Sequence, residues 1–592
     1  MLEDAVMARR LPAAPGKPRR SRPPPGGGRA PRTQVSAAEG PPFGPRPSGP
    51  GRAFLRVNPD LAIAVGILAA LLALYSANGE VLPGHDATPN VYLAAAILDE
   101  GRLGFTPSRL PRLFTWELAT ASGPRRLRLL DLSEDVNGRD AASLYAEGLL
   151  VPHPPYFLTR SNRLAPAHLS TRFDRVAVED VYVGVFGPGA GLSAVPVLAP
   201  LRLVAGPLAS SPEILWLGAK FAASLYTALS ASLVFLAARR WLARRPALLL
   251  ALAYGAATSV FSTSSQSLWQ HGPNAFFLSL GIYGLARERT RATWAGAAFG
   301  AATLCRPTSA LFAVAAAGWL LFSERRALGA FLAGALPLAL SLAAYNAYYL
   351  GSPWAFGQLA VAPALALAKT GSPAVWQTPL LTGLAGLLAS PSRGLLVFSP
   401  WLFLGFAGSV AAFGRSGFEP LRPVALASAM IMVLQAKFFD WWGGWAYGCR
   451  PLVDLAPAQA LLAVPVAGLA LATRRRAAAL ALLTAWSLVV QLVGALTYDV
   501  EGWNARRVER IWWPSGEVTV VDGADAPAAS ARGGQALEES MLDVDRKDHR
   551  DRLWSLADNQ IGYYLSHAVP SFRSKAAGAR AWVESFRRPR RR

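Results

Sequence analysis

Blocks of roughly 15 to 24 apolar residues with few internal charges recur along the 592-residue chain, and about 20 such residues make a helix long enough to cross the hydrocarbon of a bilayer. Lipid offers no partners to backbone N–H and C=O groups, so segments of this kind must satisfy them internally. The expected fold class is therefore an all-α polytopic membrane protein. Composition agrees: 52% of residues are hydrophobic and 16% charged, against about 25% charged in soluble domains.

The formal net charge of +22 invites a nucleic-acid reading, but the basic residues gather at the termini and between apolar blocks. There they set topology and meet anionic lipid. No zinc-finger spacing, helix-turn-helix pattern or RNA-binding aromatic motif accompanies them, and no nucleic acid is expected as a partner. The two cysteines, Cys305 and Cys449, exclude a disulfide-dense scaffold and leave a single pairing open.

Residues 1–58 hold ten arginines, Pro23-Pro24-Pro25 and Gly26-Gly27-Gly28, a composition too poor in apolar residues to offset its ordering entropy. A disordered basic cytoplasmic tail is expected there, followed by a first span over 61–77. Residues 78–212 form a large first external loop. Its apolar stretch 187–206 is broken by Pro196 and Pro200 and suits an interfacial or re-entrant element. Ten more spans are expected near 213–238, 246–264, 272–286, 292–304, 307–323, 327–350, 394–413, 422–436, 455–473 and 477–497. With the N-terminus inside, the short inner connections carry fourteen arginines, from Arg239 to Arg476, and the outer ones five basic residues: Arg306, Lys369, Arg393, Lys437 and Arg450. That asymmetry obeys the positive-inside rule; counting 187–206 as a crossing would reverse it. The pair 292–304 and 307–323 is short enough to be re-entrant instead, which would leave the orientation of the rest unchanged. The transmembrane part thus runs over 59–497 with about eleven crossings, and 498–592 forms a small external C-terminal region ending in a basic run.

The same topology sorts the unusual polar residues. Gly84-His85-Asp86, Gln266 to Asn274, Cys305-Arg306-Pro307-Thr308, Ser390 to Gly394 and Asp440 to Arg450 all face outside. Ionisable groups gathered among glycines and aromatics at one membrane face point to an external cavity.

In its layout the chain resembles the GT-C type of integral membrane glycosyltransferase. The likeness, over roughly residues 59–565, rests on a first span with its N-terminus inside, a long first loop opening with Gly84-His85-Asp86, and about eleven crossings. It also rests on the stretches Trp269-Gln270-His271-Gly272, Ser390-Pro391-Ser392-Arg393-Gly394 and Trp441-Trp442-Gly443-Gly444-Trp445. The resemblance implies transfer of a sugar from a polyprenyl-phosphate donor to an envelope glycan, lipid or protein hydroxyl at the external face. High Arg and Ala usage adds a bacterial inner (plasma) membrane as the expected location. Many members carry two adjacent acidic residues in the first loop, whereas here His85 precedes Asp86. Use of a divalent metal, Mg or Mn, is left open, with Asp99-Glu100, Asp131, Asp135 and Glu179-Asp180 as possible second carboxylates if the loop folds back.

Displacement of a lipid phosphate from an anomeric carbon needs a base at the acceptor and cationic groups at the leaving phosphate. Asp86, with His85 beside it, is the expected base; a helix-capping aspartate is the alternative. Arg393 is the expected phosphate fork, with a guanidinium snorkelling to headgroups as the alternative; Arg306 and Arg450 are further candidates. Gln270 and His271 are expected to touch phosphate or sugar, or His271 to share a metal with Asp86. Trp442 and Trp445, with Asp440 and Tyr447, are expected to face the sugar, or else to sit in an aromatic belt. The late stretch Asp551 to Gln560 is a weaker candidate for acceptor binding. A flippase or transporter of lipid-linked glycans would place polar residues at mid-membrane depth, and a polysaccharide polymerase or ligase would place its large loop between late spans.

Overall fold

A computed structural model describes residues 58–82, 84–127, 135–161, 180–286, 291–523 and 526–569. The basic tail through residue 57, Arg287, Arg289, Asp131, Glu179 and the terminal basic run lie outside them. Five helices are long and apolar enough to cross a membrane: Pro59–Ser76, Pro212–Ala238, Arg325–Leu350, Arg450–Ala470 and Arg474–Thr497. The chain is a multi-pass helical membrane protein. Shorter helices, among them Arg244–Ala256, His271–Leu285, Ala292–Cys305, Ala310–Ser323, Phe403–Gly414 and Arg422–Lys437, complete the bundle. The pair after residue 291 has 14 residues in each helix, about 21 Å of rise against the about 30 Å of a hydrocarbon core.

The most buried of the five long helices, Arg450–Ala470, is a succession of short turns. Arg450–Leu455 and Val464–Val466 are 3₁₀, with α-helix between and after them. Pro451, Pro457 and Pro465 remove donors from the helical ladder, which forces the breaks. Small residues set the helix spacing elsewhere. A Cβ on Gly296 would strike the Phe331 carbonyl and one on Gly334 the Thr293 carbonyl, so the backbones of Ala292–Cys305 and Arg325–Leu350 cross in direct contact. At one end of the bundle Asp60 pairs with Arg239 (3.1 Å) and Arg244 (2.7 Å). At the opposite end Asn78 donates to the Ala495 carbonyl, which brings the 78–188 segment and the C-terminal region to the same face.

These two pieces correct the all-α expectation, because both contain β-structure. In the first, Thr115–Leu118 pairs antiparallel with Arg125–Leu127 and Leu150–His153, and Leu158–Arg160 pairs with Tyr182–Gly184. Asn137 and Gly138, both at positive φ, turn the hairpin of Asp135–Val136 and Arg139–Asp140. Helix Thr88–Glu100 opens the segment, and Gly189–Ala205 closes it as a 17-residue helix containing Pro196 and Pro200. In the second piece, Ala505–Trp512 lies between Gln535–Asp543 and Val518–Asp522. Trp503, Val544, Leu553 and Tyr564 there pack with Trp441, Trp442 and Tyr447 in one apolar cluster. Two further helices, Gly357–Thr370 and Leu380–Ala389, occupy the connection before Arg393.

Candidate active site

Asp86 lies in the single turn His85–Ala87 that follows the first long helix. Its two oxygens have different partners. Tyr156 Oη donates to Oδ1 at 2.6 Å, and Arg450 Nη1 donates to Oδ2 at 2.5 Å. Burial by itself would raise this carboxyl, but the Arg450 guanidinium, the Tyr156 hydroxyl and the more distant Lys369 ammonium outweigh it. Asp86 therefore sits below the ordinary aspartate range and is ionised at neutral pH. Burial and the charge of Asp86 push the Tyr156 hydroxyl the other way, so Tyr156 remains a donor. His85 is exposed beside them.

Arg450 is itself held twice more. Its Nη2 donates to the Gly443 carbonyl at 2.7 Å, and its guanidinium lies 5.3 Å from the centre of the Trp269 ring. Gly443 and Gly444 both adopt positive φ, 79° and 63°, a conformation that costs glycine little and other residues more. The glycine pair turns the chain so that the Gly443 carbonyl faces Arg450.

Trp269, Gln270 and His271 lead from this pair to a second charged group. His271 Nδ1 is 3.0 Å from Asp454 Oδ1, Arg306 Nε is 2.9 Å from Asp454 Oδ2, and Arg306 Nη1 lies 3.2 Å from His271 Nδ1. Asn274 donates to Asp454 as well (2.9 Å) and accepts from Ser309 Oγ (2.8 Å). Arg306 and Gln270 also reach the wall of a cavity of about 1090 Å³. The rest of that wall is mostly apolar: Phe186, Leu342, Tyr345, Trp354, Phe356, Met430, Val433 and Phe438 are part of it, and Lys437 is its one lysine. An apolar cavity of this volume with a guanidinium on its wall can hold a lipid chain with an anionic head.

Several expected site residues take other roles. Arg393 is fully buried, at 0% exposure, and its guanidinium is bound entirely by protein. Nε donates to the Trp442 carbonyl (3.0 Å), Nη1 to the Ser392 carbonyl and Gln560 Oε1 (2.9 and 2.8 Å), and Nη2 to the Gly444 carbonyl and Asn504 Oδ1 (3.1 and 2.8 Å). Burial pushes it down to about 10, still a cation at neutral pH. It therefore offers no fork to a phosphate and instead ties the 390–394 turn, the glycine turn and the C-terminal region together. Gln560, at the end of the stretch considered for acceptor binding, belongs to the same knot through Ala446 and Gly448. Trp442 and Tyr447 are buried, with Trp442 Nε1 donating to Asp545 (2.8 Å) and Tyr447 Oη to the Val490 carbonyl (2.7 Å). Neither presents a face to a sugar. Trp445 is half-buried and donates to Asp543 (2.9 Å), and Asp440 pairs with Lys369 (2.8 Å).

Exchanging Arg393 for Lys is expected to lower stability by about 2–4 kcal/mol, because three ammonium donors cannot serve five positions and buried acceptors are left open. Thermal unfolding of the purified protein measures that loss, and donor KM is expected to stay unchanged. A raised donor KM at unaltered stability would return Arg393 to the phosphate.

Among the described residues no three His, Cys, Asp or Glu side chains converge as a cation site, and Asp86 Oδ2 is paired with the Arg450 guanidinium. His271, for which the sequence leaves a metal shared with Asp86 as one alternative, pairs with Asp454. Of the possible second carboxylates, Asp99 pairs with Arg202 (2.6 Å) and Asp180 with Arg160 (2.7 Å). Cys305 and Cys449 are both free and buried.

Asp454, Tyr156, Lys369 and Asp545 are the groups that sequence reasoning missed. Asp454 carried a usable signal, an aspartate inside an otherwise apolar block. Tyr156 and Asp545 sit in turns, where nothing local distinguishes them, and Lys369 ends the helix Gly357–Thr370, where a basic residue in the last turn is an ordinary capping feature.

Residues 216–349 match the family model described as dolichyl-phosphate-mannose-protein mannosyltransferase, a family of GT-C membrane glycosyltransferases that use a polyprenyl-phosphate sugar. The match covers less than a quarter of the chain and includes Trp269, Gln270, His271 and Arg306. Over those residues the chain is similar to a glycosyltransferase family. No curated protein matches the chain significantly.

Proposed function

We propose that this membrane glycosyltransferase transfers mannose from a polyprenyl-phosphate donor to an acceptor hydroxyl at the face that bears the 78–188 segment and the C-terminal region. The observation that carries the reading is the apolar cavity with Arg306 and Gln270 on its wall, Gln270 being the residue after Trp269, whose ring lies against the guanidinium that pairs with Asp86. The polyprenyl chain occupies the cavity, its phosphate meets Arg306, and the anomeric carbon lies toward Asp86.

In this reading the acceptor oxygen attacks the anomeric carbon as the bond from that carbon to the phosphate oxygen breaks. The electron pair leaves with the lipid phosphate, where Arg306 offsets the developing charge. The acceptor proton passes to the Asp86 carboxylate. Arg450 and Tyr156 keep that carboxylate ionised and oriented before the reaction. They also make it a weak base, which suits proton transfer late in a displacement with oxocarbenium character.

In this reading the reacting face lies outside a bacterial plasma membrane, with about eleven crossings and the N-terminus inside, an orientation supported by the fourteen arginines of the short connections. Incubating the purified protein with a panel of radiolabelled polyprenyl-phosphate sugars and envelope acceptors tests the reading. Label is expected to move from the mannose donor. A donor that binds without turnover under every condition would make the protein a carrier of lipid-linked glycan instead.

A further inference from the structure

The ion pair between Arg450 and Asp86 depends on a turn that residues far away in sequence hold in place. Asp545, in the C-terminal region, accepts from Trp442 Nε1 at 2.8 Å through Oδ1 and pairs with Lys369 Nζ at 2.9 Å through Oδ2. The same Lys369 Nζ pairs with Asp440 at 2.8 Å. Asp440 Oδ1 in turn accepts from the Gly444 N–H at 3.0 Å. The next carbonyl back, that of Gly443, receives Arg450.

These contacts form one connected path from the C-terminal region to the acidic residue. Lys369 is nearly surrounded by protein, with 18% of its side chain exposed. Burial would lower its ammonium, but Asp440 and Asp545 outweigh that and raise it, so the two carboxylates share one persistent cation. An arrangement of one cation between two anions on separate segments has a defined geometry, unlike an exposed pair of flexible side chains. Arg550 closes the cluster from the other side, donating to the Lys369 carbonyl and lying 4.4 Å from the Trp442 ring centre.

We propose that Asp545 is a positioning residue for sugar transfer: through Lys369, Asp440 and Trp442 it fixes the Gly443–Gly444 turn that aims Arg450 at Asp86. The C-terminal region is on this view part of the active-site frame. The inference rests on the proposed role of Asp86 for its kinetic consequence, but the clamp itself can be tested without turnover.

The test compares wild type, Asp545→Asn and Asp545→Glu as full-length purified proteins. In Asp545→Asn, kcat is expected to fall about 10- to 100-fold, the scale of a catalytic group displaced by a fraction of an ångström to one ångström. Donor KM should stay within about twofold, because Arg306 and the cavity are untouched. Asp545→Glu restores the charge with a longer arm. Partial recovery is expected if geometry matters, and full recovery would mean that charge alone acts and would overturn positioning. Hydrogen–deuterium exchange is read on the same samples, with faster exchange over residues 441–450 expected in Asp545→Asn. Unchanged exchange there overturns the clamp whether or not any donor is turned over. Unchanged kcat in an active preparation overturns the positioning role, as does a parallel fall in kcat, rise in KM and loss of melting temperature, which would mark a merely structural aspartate. Wild type without transfer would remove the proposed activity and leave the exchange result to decide the clamp.

Discussion

Replacing Asp86 with Asn is expected to reduce transfer about 10²- to 10⁴-fold, the usual contribution of a positioned general base, while the protein remains folded in the membrane. The amide keeps the shape of the carboxylate but cannot take the acceptor proton. It also leaves Arg450 without its anionic partner, so stability should fall modestly. Transfer assays with wild type and variant in parallel measure the effect, and activity within a fewfold of wild type would remove Asp86 as the base.

The same residue carries a pH signature. Because Arg450 and Tyr156 hold the Asp86 carboxyl below its ordinary value, wild-type activity should persist at pH values where an unperturbed aspartate is already protonated. Exchanging Arg450 for Gln should move the acidic limb of kcat/KM upward. The stability linkage has the matching sign. A carboxyl depressed in the folded state stabilises the protein above its unfolded pKa, and that contribution disappears as pH falls through the folded pKa.

The second large effect is expected at Arg306. Its side chain lies beside Asp454 and His271 and lines the apolar cavity, which makes it the cation best placed for the donor phosphate. Arg306→Lys retains the charge and loses the planar fork, so donor KM should rise about 10-fold; Arg306→Gln loses both and should raise it about 100-fold, in keeping with about 1.5–3 kcal/mol for a hydrogen bond to a charged group. Acceptor KM should not change. Donor saturation curves measure this, and a flat response in Arg306→Gln would separate the cavity from donor binding. Asp454 makes the Gln variant informative for stability too, since it loses the guanidinium that faces one of its oxygens.

The short elements show where the sequence signal ran out. Helix Thr88–Glu100 has a proline near its start and ends at Gly101 in the left-handed conformation, which is local punctuation that could have been read. It escaped notice because eight of its residues are buried on all sides, so no polar stripe alternates with an apolar one. The strands of the first segment are two to four residues long, too short for alternation to emerge. Asn137-Gly138 was the one legible hairpin signal there. Helix Gly357–Thr370 and helix Leu380–Ala389 lay in what read as a plain connection. Pro363 interrupts the first, and ten residues is too short for a span in the second.

By itself the sequence determined that this is a multi-pass helical membrane protein, because apolar blocks of helical span length leave a chain in lipid no other solution. It also marked the end of the molecule where polar residues gather, since charge and glycine are costly to place at random beside spans. It did not determine what each of those residues touches. Arg393 and Arg306 look alike as arginines close to proline and serine, yet one has every donor taken by protein and the other lies on a cavity wall. Asp86 finds Arg450 at a separation of 364 residues, and Asp545 reaches the same turn from the far end of the chain. Hydrophobic periodicity is a local property that one segment can display alone. The pairing of a buried charge is decided by which segments the tertiary fold brings within about 3 Å, where Coulomb attraction outweighs desolvation.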